Sequence, residues 1–171
     1  MQTTPEIRNM RCIKWIVLAG VLLVPLVSRA ENNCPWLNEA TASGILNSPV
    51  DLKVQTAEDD GGSCVFSAHG RFSIDSLRIT VSDVKDTSKS LIFYQSQCTS
   101  PRAPLNAIGN EAELCSVDVD HSRREQVVGR VRNKIFVVSI NFDTNNDSTA
   151  SRKLLQEKVV GIAEQVAGFL F

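Results

Sequence analysis

Segments in which apolar and polar residues alternate predict several β-strands in the middle of the chain. In Ser76–Val84, the apolar residues Leu77, Ile79 and Val81 would share one face of an extended chain, and polar residues would occupy the other. This alternation is typical of an antiparallel strand with one buried and one solvated face. Shorter alternating or β-branched runs predict further strands in Val50–Gln55, Ser63–Ala68, Ala107–Asp118, Glu125–Asn133 and Lys134–Phe142.

Three other segments have apolar residues three and four positions apart, which predicts amphipathic helices. The first extends from Pro35 to about Asn47, and a proline suits the first turn of a helix. The second, Asp86–Cys98, begins with a favourable N-cap residue, although its "LIFY" run also fits a strand. The third is Thr149–Leu170, capped by Ser148 or Thr149, and its apolar stripe comprises Leu155, Val159, Ile162, Val166 and Phe169.

Together these elements predict a single α+β domain. We expect a mostly antiparallel sheet of about six strands, packed by an N-terminal helix, a middle helix and a long C-terminal helix. The C-terminal helix should lie across one face of the sheet. If the other helices cover the opposite face, the domain would be a three-layer sandwich, and the sequence leaves this open. The last two strands should form a hairpin, whose turn is irregular because it contains no Asn-Gly pair.

The first 30 residues have the organisation of a secretory signal peptide. Basic residues precede the apolar run Ile16–Val27, and small residues stand at Ser28 and Ala30. The run is shorter than the roughly 20 residues of a membrane span. We therefore expect residues 1–30 to be a signal peptide cleaved after Ala30, and residues 31–171 to be a periplasmic or secreted domain. The alternative is a retained membrane anchor.

The charge of the chain and the residues before Cys34 argue against some classes of binding partner and against lipidation. The predicted signal peptide contains four of the 18 basic residues and one of the 19 acidic residues, so cleavage would leave a net charge of −4. A mildly acidic domain gives no electrostatic reason to expect nucleic acid or an anionic membrane as its main partner. The polar residues Glu31, Asn32 and Asn33 directly before Cys34 do not fit a lipidation signal, so we do not expect a lipoprotein.

Four cysteines remain after the predicted cleavage, and an even number in an exported chain indicates two disulfides. Of the three possible pairings we favour Cys34–Cys64 and Cys98–Cys115, because each joins neighbours along the chain. A zinc site is the competing interpretation, but the spacing contains no C-x-x-C pair.

Few residues point to catalysis or to a cofactor, and we expect neither. The two histidines, His69 and His121, lie in predicted turns, and the chain has no G-x-S-x-G motif. Asp118, Asp120 and His121 would offer carboxylate and imidazole ligands, so a metal-assisted enzyme is the alternative function. The loop Asp143–Ser148 resembles the start of a calcium loop, but it lacks the glycine at position six and the acidic residue at position twelve.

The most basic stretch predicts a possible binding face. On a strand, Arg130, Arg132 and Lys134 would share a face, opposite Val131, and could bind an anionic ligand or an acidic partner. The alternative is a solvated outer face whose charges discourage edge-to-edge pairing. Trp36 could stack on a ligand, but its phase on the first helix favours a core position. In the turn "AIGNEA", Gly109 and Asn110 both tolerate a positive φ.

Several segments, in their order along the chain, resemble a known group of proteins. The segments "CPWLNEATASGIL", "SCVF", "AIGNEA", "VVGRVRNKIFVVSI" and "LQEKVVGIAEQVAGFLF" resemble a loose group of exported bacterial proteins of unknown function. Many of these are actinobacterial lipoproteins, and some are similar to the PsbP-like α/β/α sandwich. The resemblance implies a fold and an exported compartment but no catalytic residues. We therefore expect an exported, non-catalytic binding or accessory module, with a small ligand or an extracytoplasmic protein as its partner.

Overall fold

The structure is a computed structural model that describes residues 33–56, 61–69, 74–84, 87–119, 122–143 and 149–171. These residues belong to one compact unit, Asn32–Phe171. The predicted signal peptide lies outside the described residues, as do four residues of the predicted caps and metal site: Asp86, Asp120, His121 and Ser148.

Seven strands in the described part of the chain form one antiparallel sheet, in the spatial order β1-β2-β3-β7-β6-β5-β4. This confirms the predicted α+β domain, with one strand more than expected. The strands are β1 Val50–Thr56, β2 Gly62–Ala68, β3 Ile74–Asp83, β4 Ala103–Leu105, β5 Glu111–Val119, β6 Ser122–Val131 and β7 Lys134–Asp143. The helices are α1 Glu39–Leu46, α2 Thr87–Gln95 and α3 Thr149–Leu170.

Two local predictions were wrong. The extra strand, β4, lies in a proline-containing segment in which the sequence pattern predicts no strand; it pairs with β5 at the edge of the sheet, where a proline is tolerated. Helix α1 begins at Glu39 rather than at Pro35, because the side chain of Asn38 caps it. Asn38 Oδ1 accepts a hydrogen bond from the Thr41 N–H at 2.8 Å. The helix ends at Asn47, which has a left-handed φ of 52°.

One face of the sheet carries the main core, and α1 and α3 cover it. Alternate residues of the central strands point into this layer, as the sequence pattern predicts. The stripe on α3 is buried as expected except at Phe169, which is 61% exposed near the end of the helix. Trp36 is buried in the same core, which confirms its predicted structural role. The core includes Phe66, Leu77, Ile79, Phe136, Val138, Ile140, Val159, Ile162 and Val166.

A buried carboxylate also lies beneath α3. Glu125 on β6 is fully buried, and both of its oxygens accept hydrogen bonds from Ser116 Oγ, at 2.8 and 2.9 Å. The amide of Gln156 on α3 donates to Glu125 Oε2 at 3.1 Å. A buried polar group is tolerated where hydrogen bonds satisfy it, and the bond from Gln156 ties α3 to β6.

The opposite face of the sheet is only partly covered. Leu91 of α2 packs on Val128 of β6 and Ile135 of β7. Helix α2 contacts β6 and β7, and none of the described helices packs on the β1–β3 side of this face. The domain is therefore three-layered over half of the sheet and two-layered over the rest.

Both favoured disulfides are present, Cys34–Cys64 and Cys98–Cys115, each with its Cα atoms 5.8 Å apart. The first ties the segment before α1 to β2, and the second ties the end of α2 to β5. Disulfides are typical of proteins in oxidising, extracytoplasmic compartments. Among the described helices, none combines the length and apolar composition needed to span a membrane.

Candidate anion-binding surface

The predicted basic face is divided between the two sides of the sheet. Strand β6 ends at Val131 and β7 begins at Lys134, so Arg132 and Asn133 form a tight two-residue turn. Arg132 has a φ of 54°, and its N–H donates to the side chain of Asn110 at 2.7 Å. Because Val131 pairs with Lys134, Arg130 and Lys134 lie on opposite faces. The three basic residues therefore do not share one face of the sheet, and a binding role for Arg130, Arg132 and Lys134 stays a prediction.

Two of these three basic side chains are also engaged by carboxylates. Arg130 Nε lies 2.6 Å from Glu111 Oε1, and Lys134 Nζ lies 3.4 Å from Asp83 Oδ2. Other surface arginines are paired in the same way, Arg102 with Glu113 and Arg123 with Asp118. The positive charges of these four side chains are therefore compensated by neighbouring carboxylates.

The predicted metal cluster is described only at Asp118. Its Oδ1 accepts from Arg123 Nε at 2.5 Å, and its Oδ2 accepts from Thr99 Oγ1 at 3.1 Å. The hydrogen bond from Arg123 is the main cause of a lowered pKa for Asp118. Nowhere in the described ranges do three His, Cys, Asp or Glu side chains come together to hold a metal. A metal-assisted reaction at Asp118, Asp120 and His121 stays a prediction. The other histidine, His69, lies 2.8 Å from Asp51 Oδ2.

A different set of residues forms a polar patch on the uncovered part of the sheet. We call it the open patch and define it as Lys53, Val65, Ser76, Arg78, Thr80, Arg124 and Asn141, all partly or fully exposed. The strand registers place these side chains on the face opposite the main core. Arg78 on β3 pairs with Ser139 of β7, and Arg124 on β6 pairs with Asn141 of β7. The two arginines therefore lie on either side of β7 and are offset by one pleat repeat.

Hydrogen bonds orient Arg124 on this surface. Arg124 Nε donates to Asn141 Oδ1 at 2.9 Å, and Asn141 Nδ2 donates to Ser76 Oγ at 3.0 Å. Both partners are neutral, so they position the guanidinium but leave its charge uncompensated.

The electrostatics of the open patch differ from those of the paired arginines. Among the described residues, no carboxylate lies within ion-pair distance of Arg78 or Arg124. Burial, and after it the positive charge of Arg78, lowers the pKa of Arg124. Two like charges therefore lie on the same partly dehydrated surface, and a bound anion would stabilise both of them.

A cleft lies between α2 and β5. This cleft has a volume of about 290 Å³, and Leu91, Gln95 and Ile108 line it. Gly109 lines it with a φ of 64°, as predicted, whereas the second residue at positive φ is Ala107 rather than Asn110. The acidic residues of the cleft, Glu111 and Glu113, are paired with arginines. The cleft therefore has no uncompensated charge to attract an ionic ligand.

The sequence did not predict that Arg78 and Arg124 lie on the same face of the sheet, on either side of β7. The alternation in β3 assigns Arg78 to a solvated face, and Arg124 stands in a basic stretch with Arg123 and Arg130. The two come together because β3 lies beside β7 and β7 beside β6. The β6–β7 hairpin is predicted from the sequence, but the β3–β7 pairing joins distant segments that the local pattern does not connect.

Comparisons with known proteins give little support beyond the geometry. No family model matches the chain, and no curated protein matches it. A solved structure of a GTP-binding regulator from Thermotoga maritima is 14% identical and covers 81% of this chain and 92% of that chain, with a TM-score of 0.36. At that TM-score the likeness carries no argument about this protein. The resemblance to exported bacterial proteins stays a prediction.

Proposed function

We propose that this protein is an exported, non-catalytic binding module that holds a ligand or an extracytoplasmic partner on the open patch. Two disulfides and the N-terminal sequence pattern support export. The disulfides and the buried core under α1 and α3 would make the sheet a rigid platform, which suits recognition more than turnover.

The observation that carries the proposal is the uncovered half of the sheet. Elsewhere on the described surface, Arg102, Arg123 and Arg130 are paired with carboxylates, whereas Arg78 and Arg124 share a face without a carboxylate from the described residues. A charged surface left unpaired on a rigid sheet favours a charged partner supplied from outside.

Photo-crosslinking in the producing cell tests this proposal. A photoreactive amino acid at Thr80, in the open patch, should yield a crosslinked ligand or partner that mass spectrometry can identify. The matched control places the same group at Glu157, an exposed position on α3. Equal yields from both positions, or no adduct from Thr80, would contradict the proposed function.

A further inference from the structure

We infer that Arg78 and Arg124 together bind a phosphate group, with Asn141 as the positioning residue. This inference rests on the proposed function, because it names the chemistry of the ligand at the open patch.

The first support is the orientation of the donors. Arg124 uses its Nε–H for Asn141, at 2.9 Å, which leaves its two terminal nitrogen atoms as donors. Arg78 is exposed on β3, on the other side of β7, so its long side chain can reach toward the terminal nitrogen atoms of Arg124 without a change in the strand. One guanidinium is oriented by a hydrogen bond and the other is exposed, so both can contact the same ligand.

The second support is the charge. The guanidinium of Arg124 is half-buried, and the charge of Arg78 acts on it across β7. An anion between them would replace a repulsion by two attractions. Lys53 adds a third positive charge in the same row of the sheet, since Lys53 pairs with Val65 and Val65 with Arg78. Asp51, the acidic residue on the same face of β1, is held by His69.

The third support distinguishes phosphate from a carboxylate. A carboxylate carries one charge in a plane and matches one guanidinium fork. A phosphate group carries a charge of about −1.5 to −2 at neutral pH and offers oxygens in several directions. It can therefore satisfy two arginines that approach from different strands. Inorganic phosphate, a soluble phosphate ester and a phospholipid headgroup share this chemistry.

Calorimetric titration of the disulfide-bonded protein with inorganic phosphate, at low ionic strength, tests the inference. We expect saturable binding that weakens about tenfold or more in Arg78→Gln and in Arg124→Lys, since the lysine keeps the charge but loses the planar fork. The matched control Arg102→Gln removes an exposed arginine paired with Glu113 and should change the affinity less than about twofold. Acetate should bind at least about tenfold more weakly than phosphate.

Glycerol phosphate and vesicles that contain phosphatidic acid distinguish the sources. Binding to glycerol phosphate with an affinity near that of inorganic phosphate would support a soluble ligand. Binding to vesicles without binding to free phosphate would overturn the inference, as would equal affinity in all variants or no saturable binding. If an adduct from Thr80 carries no phosphate, the proposed function stands and this inference fails.

Discussion

Arg78 and Arg124 face the same side of the sheet from β3 and β6, separated by the single strand β7. Burial and then the charge of Arg78 lower the pKa of Arg124, so the pair is unfavourable in the free protein. Natural proteins tolerate such unfavourable pairs at surfaces that bind ligands, because the ligand provides the compensating charge.

Replacement of Arg78 by glutamine should therefore not destabilise the free protein. We expect the free energy of unfolding of Arg78→Gln to equal that of the wild type or exceed it by a few tenths of a kcal/mol at about 10 mM salt, and the difference to vanish at about 0.5 M. Urea unfolding in phosphate-free buffer measures this. Arg102→Gln, which breaks an ion pair, should lose up to about 1 kcal/mol. A larger loss in Arg78→Gln than in Arg102→Gln would show that Arg78 has a structural role.

Two aspartates should give stability effects of opposite sign. The hydrogen bond from Arg123 lowers the pKa of Asp118, whereas burial, followed by the charge of Asp143, raises the pKa of Asp75. A lowered folded-state pKa stabilises the protein above the unfolded value of about 3.9, and the effect is lost as the pH falls through the folded pKa. A raised folded-state pKa destabilises the protein above the unfolded value, and this destabilisation disappears once the pH falls below that value. We expect Asp118→Asn to destabilise and Asp75→Asn to stabilise at pH near 7.

Unfolding curves at pH near 7 and near 2.5 measure these effects, because both carboxyl groups approach the protonated state at the lower pH. Both differences from the wild type should shrink there. Differences that persist unchanged at low pH would mean that the substitutions act through packing rather than through ionisation.

The disulfide between α2 and β5 should make a large contribution to stability. The double variant Cys98→Ser, Cys115→Ser opens a loop with a sequence separation of 17 residues. In the chain-entropy model, its free energy of unfolding should fall by about 3 kcal/mol. The corresponding variant at Cys34 and Cys64, with a separation of 30 residues, should lose about 3.5 kcal/mol. Chemical denaturation checks both, and losses below about 1 kcal/mol would contradict this expectation.

Gly129 on β6 has no side chain, and the ring of Phe136 on β7 occupies the space where a side chain would lie. A Cβ at this position would overlap the ring. We expect Gly129→Ala to lose about 1–3 kcal/mol of unfolding free energy, because the buried ring cannot move freely in a close-packed core. Gly161→Ala on α3 is the matched control, since nothing lies within 4 Å of its added Cβ and alanine should gain roughly 0.5–1 kcal/mol in a helix. Thermal unfolding distinguishes the two, and equal effects would refute the overlap.

Much of the fold follows from local pattern. Alternation in β3 and the stripe on α3 predict which residues are buried, because burial of apolar area dominates both elements. The disulfide pairings follow from chain proximity. Phe169 is the exception on α3: its side chain is 61% exposed, although Val166 and Ala167 just before it are buried.

The rest depends on contacts between distant segments. Strand β4 forms because the edge of β5 offers hydrogen bonds to a segment that local propensity assigns to a loop. The tight turn at Arg132 and Asn133 is held by distant partners: Asn110 accepts from the Arg132 N–H, and Asn133 Nδ2 donates to Asp83. That turn separates Arg130 from Lys134, and the order of strands brings Arg78 toward Arg124. The hairpin itself is predicted from the sequence, but its two turn residues and the order of the strands are not.

The most direct test of the central claim follows the arginine side-chain signals by NMR while inorganic phosphate is added to the ¹⁵N-labelled, disulfide-bonded protein. The Nε–H signal of Arg124, identified by its loss in Arg124→Lys, should shift saturably, and the signal of Arg78 should shift with the same phosphate dependence. The signals of Arg102 and Arg130, which are paired with Glu113 and Glu111, should remain in place. Shifts that are equal at all four arginines, or absent at Arg124, would contradict a phosphate site on the open patch.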